Sequence, residues 1–341
     1  MPELSRSTIV QLRCGDLCVE IAPAIGAAIT AFYKNHSAGE RFDYLRPASV
    51  QAIATGAISE MASFVMAPWA GRIRDGRFSY QGREIHYPSV DPYQPHSLHG
   101  FVRDQAWVLR ECQPQASQHE SSQENELSQA LQNVSAQRAQ HTSTCAYAIL
   151  DFTHQATAEW PFSFTLEQTI HLSEQGLRIE LVVRNQGEES MPFGFGHHPF
   201  YPCDAHTLVQ AQVAQAWQGD HEVMPIALID HPAQTKLAQG LRVQEEEHDT
   251  VFVGWQHEAR ISWPAQQESL IMQASAPQDF FVLYAPANQA WFCAEPFANV
   301  TDSFNLRGCY APELIGGVDI APGQGLTSWF SLRPGVAYTH S

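Results

Sequence analysis

The sequence consists of short runs of alternating apolar and polar residues separated by turn residues, and this pattern constrains the fold most. From Thr8 to Ile29, apolar residues alternate with polar ones around Gly15, Pro23 and Gly26, with no long amphipathic helix evident there. The 21 glycines and 21 prolines are spread along the chain and divide it into many short segments. Because a period of two is typical of half-buried strands joined by turns, the sequence predicts an all-β fold.

Strand-like segments continue towards the C-terminus. The segment from Arg77 to Tyr87 predicts a hairpin with its turn near Gln81 and Gly82. Further strands are predicted at Cys145 to Thr153, Phe162 to His171, Leu177 to Asn185, Val251 to Trp255, Arg260 to Trp263, Phe280 to Ala285, Trp291 to Glu295 and Ser328 to Leu332.

One segment departs from this pattern. Between Gln113 and Thr144 the composition shifts to Gln, Ser, Ala, Glu and His, with almost no large apolar side chains. Such a segment buries too little apolar surface to offset the entropy of ordering, so we predict a mobile insertion at residues 113–144. No linker divides the rest, and we expect residues 1–341 to form a single domain with one large core.

The charge balance limits the partners of the protein. With 19 Lys and Arg against 36 Asp and Glu, the formal net charge is −17, which repels phosphate backbones and anionic lipids. We therefore predict no nucleic-acid partner and no membrane partner. A local cluster of arginines can still attract an anion at short range.

The cysteines and the N-terminus predict a cytoplasmic location. Seven cysteines form an odd, scattered set, which is a poor disulfide framework, so reduced thiols are expected. The N-terminus opens no apolar signal segment, and no run of 18 apolar residues occurs.

Four polar clusters interrupt the apolar strands and are candidate functional segments: residues 68–77, 96–104, 194–201 and 291–297. The first is a basic, turn-rich segment, which is either a solvated loop or a donor fork for ligand oxygens. The second contains His96 and His99, which invite a metal interpretation. Pro95 and Gly100 favour a loop there, and chance pairs are expected among 16 histidines.

The other two clusters supply a histidine and a carboxylate. Pro199 biases His198 towards extended geometry, and neighbouring aromatic residues suit stacking on a sugar ring, although a satisfied core histidine is an equal alternative. Glu295 ends an apolar strand, where a charge costs several kcal/mol unless it is paired or used. Glu295 is therefore a functional candidate, with a buried structural ion pair as the alternative.

The order of these motifs resembles the aldose 1-epimerase, or galactose mutarotase, family. The matching segments are Arg-Ile with a following Gly-Arg-Phe, Leu-His-Gly, Trp-Pro-Phe at residues 160–162, a His-Pro-Phe-Tyr segment, Asp249 before Val-Phe, and Glu-Pro. The resemblance covers nearly the whole chain outside the insertion. It implies a large antiparallel β-sandwich, the galactose mutarotase-like supersandwich, and an isomerase that interconverts the α and β anomers of a free hexose without metal or cofactor.

Carried over by motif, the resemblance makes Glu295 the general base and His198 the general acid. It makes Arg72, His99 and Asp249 sugar-binding residues. An acidic neighbour is expected to keep the imidazole of His198 charged at neutral pH.

Some assignments within this resemblance stay open. His197 directly precedes His198 and is an alternative acid. Gly71 stands where the family has Asn. Trp69 and Phe200 are predicted stacking surfaces for the sugar.

The continuation after Gly100 also resembles relatives that handle hexose 6-phosphates. It predicts a phosphate cradle of Arg103, Arg72 and Arg74 as an alternative to recognition of a neutral sugar.

Three other functions remain as alternatives. A metal-dependent sugar enzyme would use His96, His99, His198 and Glu295 as ligands. A glycosidase needs two carboxylates, of which only Glu295 is well placed. A non-catalytic carbohydrate-binding protein would use the same sandwich without chemistry.

Overall fold

The computed structural model describes residues 8–36, 39–89, 95–115 and 145–336, and strands are the dominant element of these residues. The first strands, β1 to β14, are Val10–Cys14, Leu17–Ala22, Ala28–Asn35, Arg41–Asp43, Val65–Met66, Arg72–Ile73, Arg77–Tyr80, Arg83–His86, Ser97–Leu98, Val108–Gln113, Ala146–His154, Phe164–Ser173, Gly176–Asn185 and Met191–Phe193. Strands β15 to β27 are Gly196–His197, Phe200–Pro202, Leu208–Ala211, Gln215–Gly219, Pro225–Ile229, Leu241–Arg242, His248–Val253, Glu258–Trp263, Glu268–Ala274, Phe280–Ala285, Trp291–Phe297, Val318–Ile320 and Gly325–Val336.

Helices in the described residues are short. The α-helices α1 to α4 are Val50–Thr55, Ala233–Gln239, Ser303–Leu306 and Pro312–Ile315. Within the same residues, 3₁₀ turns lie at Ile58–Glu60, Arg74–Gly76, Val102–Asp104 and Pro264–Gln266. None of the helices in the described ranges is long and apolar enough to cross a membrane.

Two large sheets carry the architecture. The first has nine strands in the order β10-β11-β12-β13-β27-β23-β22-β17-β20, and the second follows the path β19-β18-β21-β24-β25-β15-β5, with β16 paired to β25. Neighbouring strands in both sheets pair antiparallel. One apolar cluster contains side chains from both sheets, among them Ile170 and Leu332 of the first and Phe252 and Leu283 of the second. The prediction of a large antiparallel β-sandwich is therefore confirmed.

The second sheet is apolar on both faces, and this positions the site. Along β24, Phe281 and Leu283 belong to the main core, whereas Phe280 and Val282 belong to a second apolar cluster on the opposite face. Successive strand side chains point to opposite faces. A strand of this sheet can therefore present a polar side chain to the second cluster without disturbing the sandwich core.

The predicted strands agree with the observed ones to within a few residues at their ends. The predicted hairpin is β7 and β8, and Gln81 and Gly82 form its turn with φ angles of 50° and 79°. The glycine tolerates this left-handed conformation because it has no Cβ.

The structure corrects two predictions: where the insertion begins, and the state of two cysteines. Gln113 is the last residue of β10, so the strand continues one residue into the segment predicted as an insertion, and residues 116–144 lie outside the described ranges. Cys14 and Cys145 are joined by a disulfide with Cα atoms 5.4 Å apart, which corrects the expectation of reduced thiols at those two positions. The bond links β1 of a four-stranded N-terminal sheet to the residue before β11.

Candidate active site

Strand β25 places the carboxylate of Glu295 beneath the second apolar cluster. Phe292 and Ala294 point into the main core, while Cys293 and Phe297 belong to the second cluster. Glu295 alternates with them on that second face and is only 2% exposed. The apolar strand predicted from the sequence thus carries its single carboxylate into a water-poor environment.

Strand geometry separates the two adjacent histidines. His197 lies in β15 and stacks on Phe330 of the nine-stranded sheet, with ring centroids 4.9 Å apart and an interplanar angle of 19°. Its ring is 1% exposed and belongs to the space between the sheets. His198 turns to the opposite face, where its backbone N–H donates to the carbonyl of Phe64 at 3.0 Å. Of the two alternatives, only His198 reaches Glu295.

His198 and Glu295 form a buried pair. Nδ1 of His198 lies 3.5 Å from Oε2 of Glu295. Both atoms are buried, and neither has a hydrogen-bond partner among the described residues. Buried polar atoms without partners are rare in folded proteins and are concentrated at functional sites.

The environment of Glu295 favours its protonated form. Burial raises the pKa of the Glu295 carboxyl well above its usual value, and the negative charge of Asp249 raises the same pKa further. Asp249 lies on β21, two strands from Glu295 across β24, and shares its face of the sheet. The carboxylate of Glu295, once formed, is therefore a stronger base than an exposed glutamate.

The environment of His198 favours the neutral imidazole. Burial lowers the pKa of His198 to about 3, and the positive charges of Arg103 and Arg46 lower it as well. This corrects the expectation of a charged imidazole at neutral pH, because desolvation and two arginines outweigh the acidic neighbour. An imidazolium formed here is a stronger acid than an exposed one.

The ring of Phe200 packs against the ring of His198. The Phe200 ring stacks on His198 at 4.6 Å with an interplanar angle of 11°. The Arg46 guanidinium lies 4.1 Å from the centroid of the same ring, and Phe200 is 4% exposed. These contacts cover both faces of the ring and hold His198 in place, and stacking of Phe200 on the sugar stays a prediction.

His99 is held in one tautomer. The backbone N–H of Gly71 donates to Nδ1 of His99 at 3.1 Å, so Nδ1 carries no proton. Burial lowers the pKa of His99 well below its usual value, and the charges of His198, Arg103 and Arg72 act in the same direction. His99 is therefore neutral with its proton on Nε2, which makes that atom a hydrogen-bond donor. Its ring centroid is 5.2 Å from that of His198.

Gly71 permits this contact. Its φ of 73° is left-handed, and a Cβ at this position would lie 2.7 Å from Oγ1 and 3.1 Å from Cα of Thr301. The departure from the family's Asn is thus matched by a close approach of Thr301, while the backbone of Gly71 binds His99 directly.

Asp249 and Arg72 lie at the edge of the buried pair. Asp249 is exposed, yet its surroundings desolvate the carboxyl enough to raise its pKa, while the charge of Arg72 lowers it. Asp249 lines a small pocket together with Val251 and Thr301. The backbone carbonyl of Arg72 accepts a hydrogen bond from Asp302 at 2.7 Å, which fixes the chain that carries the arginine.

The three arginines of the predicted phosphate cradle do not all meet. Arg103 is 4% exposed, its Nε lies 3.6 Å from Asp104, and its charge acts on His198 and His99. Arg74 is instead engaged by Asp302, with Nε 3.6 Å from the carboxylate. Arg103 and Arg72 lie beside the site, whereas the side chain of Arg74 pairs with Asp302.

Trp69 belongs to the main core. It is 1% exposed and contacts Tyr87, Phe101 and Trp160, with ring centroids 5.1, 6.3 and 5.5 Å away. These contacts place the ring in the core, and binding of Trp69 to sugar stays a prediction.

The metal-binding alternative also changes. Nδ1 of His96 accepts from the backbone of Asp75 at 3.1 Å, and Nε2 lies 3.5 Å from Glu222. In the described part of the chain, the group of three potential ligands is His198, Cys293 and Glu295. Neither His96 nor His99 belongs to this group.

Sequence reasoning missed two residues that build the site. Arg46 donates to the carbonyls of Ser59 and Met61 at 3.0 and 3.1 Å, which aims its guanidinium at Phe200. Asn299 pairs with both backbone groups of Ala70 and so anchors the chain before Gly71. Arg46 precedes a proline in a loop, and nothing in its neighbouring sequence indicates a role in the site. The Pro-Phe-Ala-Asn continuation after Glu295 is the only hint of Asn299.

A large groove elsewhere on the molecule is separate from these residues. It has a volume of about 1220 Å³ and lies on the outer face of the nine-stranded sheet, lined by Arg178, Glu180 and Trp329 among others. None of the predicted site residues lines this groove, so it is separate from the His198–Glu295 pair.

The fold and the site define a β-sandwich protein with a buried carboxylate–imidazole pair. A family model for aldose 1-epimerase matches residues 9–333, so the chain belongs to the aldose 1-epimerase family. The uncharacterized protein YphB of Escherichia coli (strain K12) is 26% identical over 334 residues, covering 96% of this chain and 98% of YphB. The uncharacterized protein YihR of the same strain is 24% identical over 169 residues, covering 48% and 45%.

Solved structures share the fold. A galactose mutarotase-like protein from Clostridium acetobutylicum has a TM-score of 0.79 at 16% identity and covers 98% of both chains. The galactose 1-epimerase of Lactobacillus acidophilus NCFM has a TM-score of 0.69 at 12% identity and covers 99% of this chain and 98% of its own. At such low identity these matches concern the fold, and they confirm its galactose mutarotase-like class.

Proposed function

We propose that this protein is an aldose 1-epimerase that interconverts the α and β anomers of a free hexose. The observation that carries the proposal is the buried His198–Glu295 pair, with its atoms 3.5 Å apart and otherwise without hydrogen-bond partners in the described ranges. Anomer interconversion needs one base and one acid, and each contributes about 10²- to 10⁴-fold.

The proton steps balance within the pair. The Glu295 carboxylate takes the proton of the anomeric hydroxyl while the bond between the anomeric carbon and the ring oxygen breaks, and the His198 imidazolium protonates the ring oxygen. The open aldehyde then rotates about the bond to its carbonyl carbon. Reclosure on the other face runs the same transfers in reverse, so the pair ends with the proton it had at the start.

The pKa shifts suit these roles. The neutral pair and the pair with charged His198 and charged Glu295 hold the same number of protons, so the reactive form arises by internal transfer without exchange with solvent. Because the pKa of Glu295 is raised and that of His198 is lowered to about 3, each group is strong in its role. No metal or cofactor takes part in these steps.

Three other residues bind the sugar in this proposal. The Nε2–H of neutral His99 and the guanidinium of Arg72 donate to sugar oxygens, and the exposed carboxylate of Asp249 accepts from distal hydroxyls. Their positions beside the pair support this arrangement.

A substrate panel tests the proposal. Mutarotation of freshly dissolved α-glucose and α-galactose is followed by polarimetry with the wild-type protein and with Glu295→Gln. The wild type accelerates at least one of these sugars, and the variant returns the rate to the uncatalysed one. Binding of a sugar without any acceleration by the wild type would instead support a non-catalytic carbohydrate-binding protein.

A hexose 6-phosphate is a second candidate substrate. Arg103 favours it, since its guanidinium is 4% exposed beside His198 and His99 and its Nε has no hydrogen-bond partner among the described residues. Comparing kcat/KM for glucose and glucose 6-phosphate decides between the two. A preference for the phosphate that Arg103→Met removes would establish this candidate.

We propose a cytoplasmic location for this activity, and the Cys14–Cys145 disulfide weighs against it, because such bonds are rare in the cytosol. Alkylation of the two thiols in freshly lysed cells, read by mass spectrometry, tests it. Labelling of both cysteines supports the cytoplasm, and protection of both opposes it.

A further inference from the structure

The acid–base pair shares its pocket with a buried thiol. Cys293 lies two residues before Glu295 on β25 and therefore on the same face of the sheet. It is a free cysteine with 0% exposure. One ligand atom each from His198, Cys293 and Glu295 lies within 4.8 Å of the others. The proposed epimerase chemistry uses the histidine and the carboxylate and leaves the thiol without a role.

We propose that His198, Cys293 and Glu295 form a zinc-binding site through which Zn²⁺ reversibly inhibits the enzyme. The part of this proposal that concerns inhibition rests on the proposed epimerase function. The part that concerns metal binding does not.

The spacing of the ligand atoms fits a tetrahedral ion. Zn–N and Zn–O bonds of about 2.0–2.2 Å set a tetrahedral edge of about 3.3–3.5 Å between nitrogen and oxygen ligands. Nδ1 of His198 and Oε2 of Glu295 are 3.5 Å apart. A Zn–S bond of about 2.3 Å requires about 3.5–3.7 Å from the sulfur to the other two ligands, which is a side-chain shift of about 1 Å from the upper limit of 4.8 Å.

The facing nitrogen of His198 and oxygen of Glu295 are also free to bind a metal ion. Nδ1 of His198 and Oε2 of Glu295 are buried and have no hydrogen-bond partner in the described residues, so no existing bond must be broken. A thiolate, an imidazole and a carboxylate are ligands that Zn²⁺ prefers over Mg²⁺ or Ca²⁺. Three protein ligands leave a fourth position for water.

The charges balance on binding. Zn²⁺ displaces the proton of the Cys293 thiol and the proton of the Glu295 carboxyl, and both protons pass to solvent. The bound thiolate and carboxylate then neutralise the ion, which satisfies the requirement that buried charges be paired. Asp249 adds a favourable negative charge nearby, whereas Arg46 and Arg103 oppose the ion.

Inhibition follows because the same atoms serve both purposes. A carboxylate bound to zinc no longer accepts the anomeric proton, and a bound imidazole holds no proton on the nitrogen that faces Glu295. Loss of mutarotation should therefore track zinc occupancy and be reversed by a chelator.

Cobalt reports the site directly. Co²⁺ replaces Zn²⁺ as an optical probe, and a thiolate ligand gives a charge-transfer band in the near ultraviolet. The full-length protein, freed of metal, should show this band and tetrahedral visible bands at one equivalent of Co²⁺. Cys293→Ala should lose the charge-transfer band and weaken Zn²⁺ inhibition at least about tenfold, since even an outer-shell partner of a metal ligand is worth about 10- to 100-fold.

Two control variants separate this site from other thiols. Cys18→Ala removes a buried free thiol beside Ala31 and Tyr33, and Cys309→Ala removes an exposed one. Both should keep the band and the inhibition. Cys293→Ser, which keeps nearly the size of the native side chain, repeats the comparison where Cys293→Ala lowers the melting temperature.

The outcomes distinguish the two proposals. A protein with no charge-transfer band, or with a band that survives in both Cys293 variants, would overturn the zinc site. A Cys293-dependent band in a protein that does not accelerate mutarotation keeps the zinc site and rejects the epimerase. Mutarotation that Zn²⁺ inhibits equally in the wild type and in Cys293→Ala rejects the site and keeps the epimerase.

Discussion

Nδ1 of His198 faces Oε2 of Glu295 at 3.5 Å inside an apolar cluster, and each atom lacks any other partner in the described part of the chain. The two groups titrate as one unit, because a proton gained by one changes the field at the other. Several of the predictions below depend on the protonation state of this pair.

Substitution of Glu295 by Gln should stabilise the protein at neutral pH. The pKa of this carboxyl is near 4.5 when unfolded and well above that value when folded, so unfolding releases a proton above pH 4.5. The free energy of unfolding of the wild type therefore falls as pH rises from the unfolded pKa to the folded pKa, by about 1.4 kcal/mol for each pH unit between them. Gln cannot ionise and avoids this loss.

Melting temperatures of the wild type and Glu295→Gln at pH 4 and pH 7.5 measure the effect. The variant should exceed the wild type at pH 7.5 and match it at pH 4. The control Glu188→Gln, at an exposed glutamate, should match the wild type at both values. Equal melting temperatures for wild type and Glu295→Gln at pH 7.5 would contradict the raised pKa.

The pH dependence of kcat/KM should be bell-shaped and unusually wide. At low pH both groups are protonated and no base remains, and this limb falls with the His198 pKa of about 3. At high pH both groups have lost their protons and no acid remains, and this limb falls with the raised pKa of Glu295. Rates measured from pH 3 to pH 10 should therefore rise with pH around the His198 pKa of about 3, well below pH 6.5, where an exposed histidine titrates. A rise in rate centred near pH 6.5 would show that His198 is not desolvated.

Asp249→Asn should move the alkaline limb of this profile to lower pH. The negative charge of Asp249 raises the pKa of Glu295, so its removal lets Glu295 lose its proton at a lower pH. The same variant should raise KM, because the amide replaces a hydrogen-bond acceptor of the sugar. A higher KM with an unmoved alkaline limb would mean that the two carboxylates are not coupled.

His197→Phe should reduce the loss of stability in acid without removing activity. Burial lowers the pKa of His197 to about 3, so the unfolded chain binds a proton below pH 6.5 that the folded protein does not. The free energy of unfolding falls as pH drops through that window, by roughly 2 kcal/mol at pH 5 for this one group. Phe keeps the stack on Phe330 and cannot be protonated.

Chemical denaturation of the wild type and His197→Phe at pH 7 and pH 5 tests this. The difference in stability between the two pH values should be smaller in the variant. Loss of mutarotation in His197→Phe would instead reopen the choice of the acid.

Trp69→Ala should be strongly destabilising. The side chain is 1% exposed among Tyr87, Phe101 and Trp160, and truncation of a core aromatic costs about 3–5 kcal/mol. Denaturant midpoints give the measurement. A stability within about 1 kcal/mol of the wild type would show that the ring is not packed in the core.

Local pattern predicts the strands and the two central residues of the site. A continuous apolar run locates β24 at the predicted residues, Phe280–Ala285, and an isolated carboxylate in an apolar strand singles out Glu295. Extended geometry before Pro199 suggests His198, but the pattern alone does not say which of two adjacent histidines faces the site. That depends on the pairing of β15 with β5 and β25, a tertiary property.

The points at which the structure departs from what the sequence suggests have a common cause. Residue type and proximity in sequence favour Trp69 and Phe200 as ligand surfaces, whereas their burial depends on distant partners such as Trp160 and Arg46. One acidic neighbour favours a charged His198, whereas desolvation and Arg103, brought from another part of the chain, decide its charge. Arg46 and Asn299 act through long-range hydrogen bonds that leave no periodic signal.

His197, the last residue of β15, and His198, which follows it, lie on opposite faces of the sheet and so in two different environments. On one side the imidazole of His197 stacks on Phe330, and on the other the imidazole of His198 lies 3.5 Å from the carboxylate of Glu295. A one-residue deletion before His197 would move His198 to the face that His197 now occupies, away from Glu295. Insertions and deletions in this segment should therefore be far less tolerated than substitutions, so the sheet register itself is a determinant of activity.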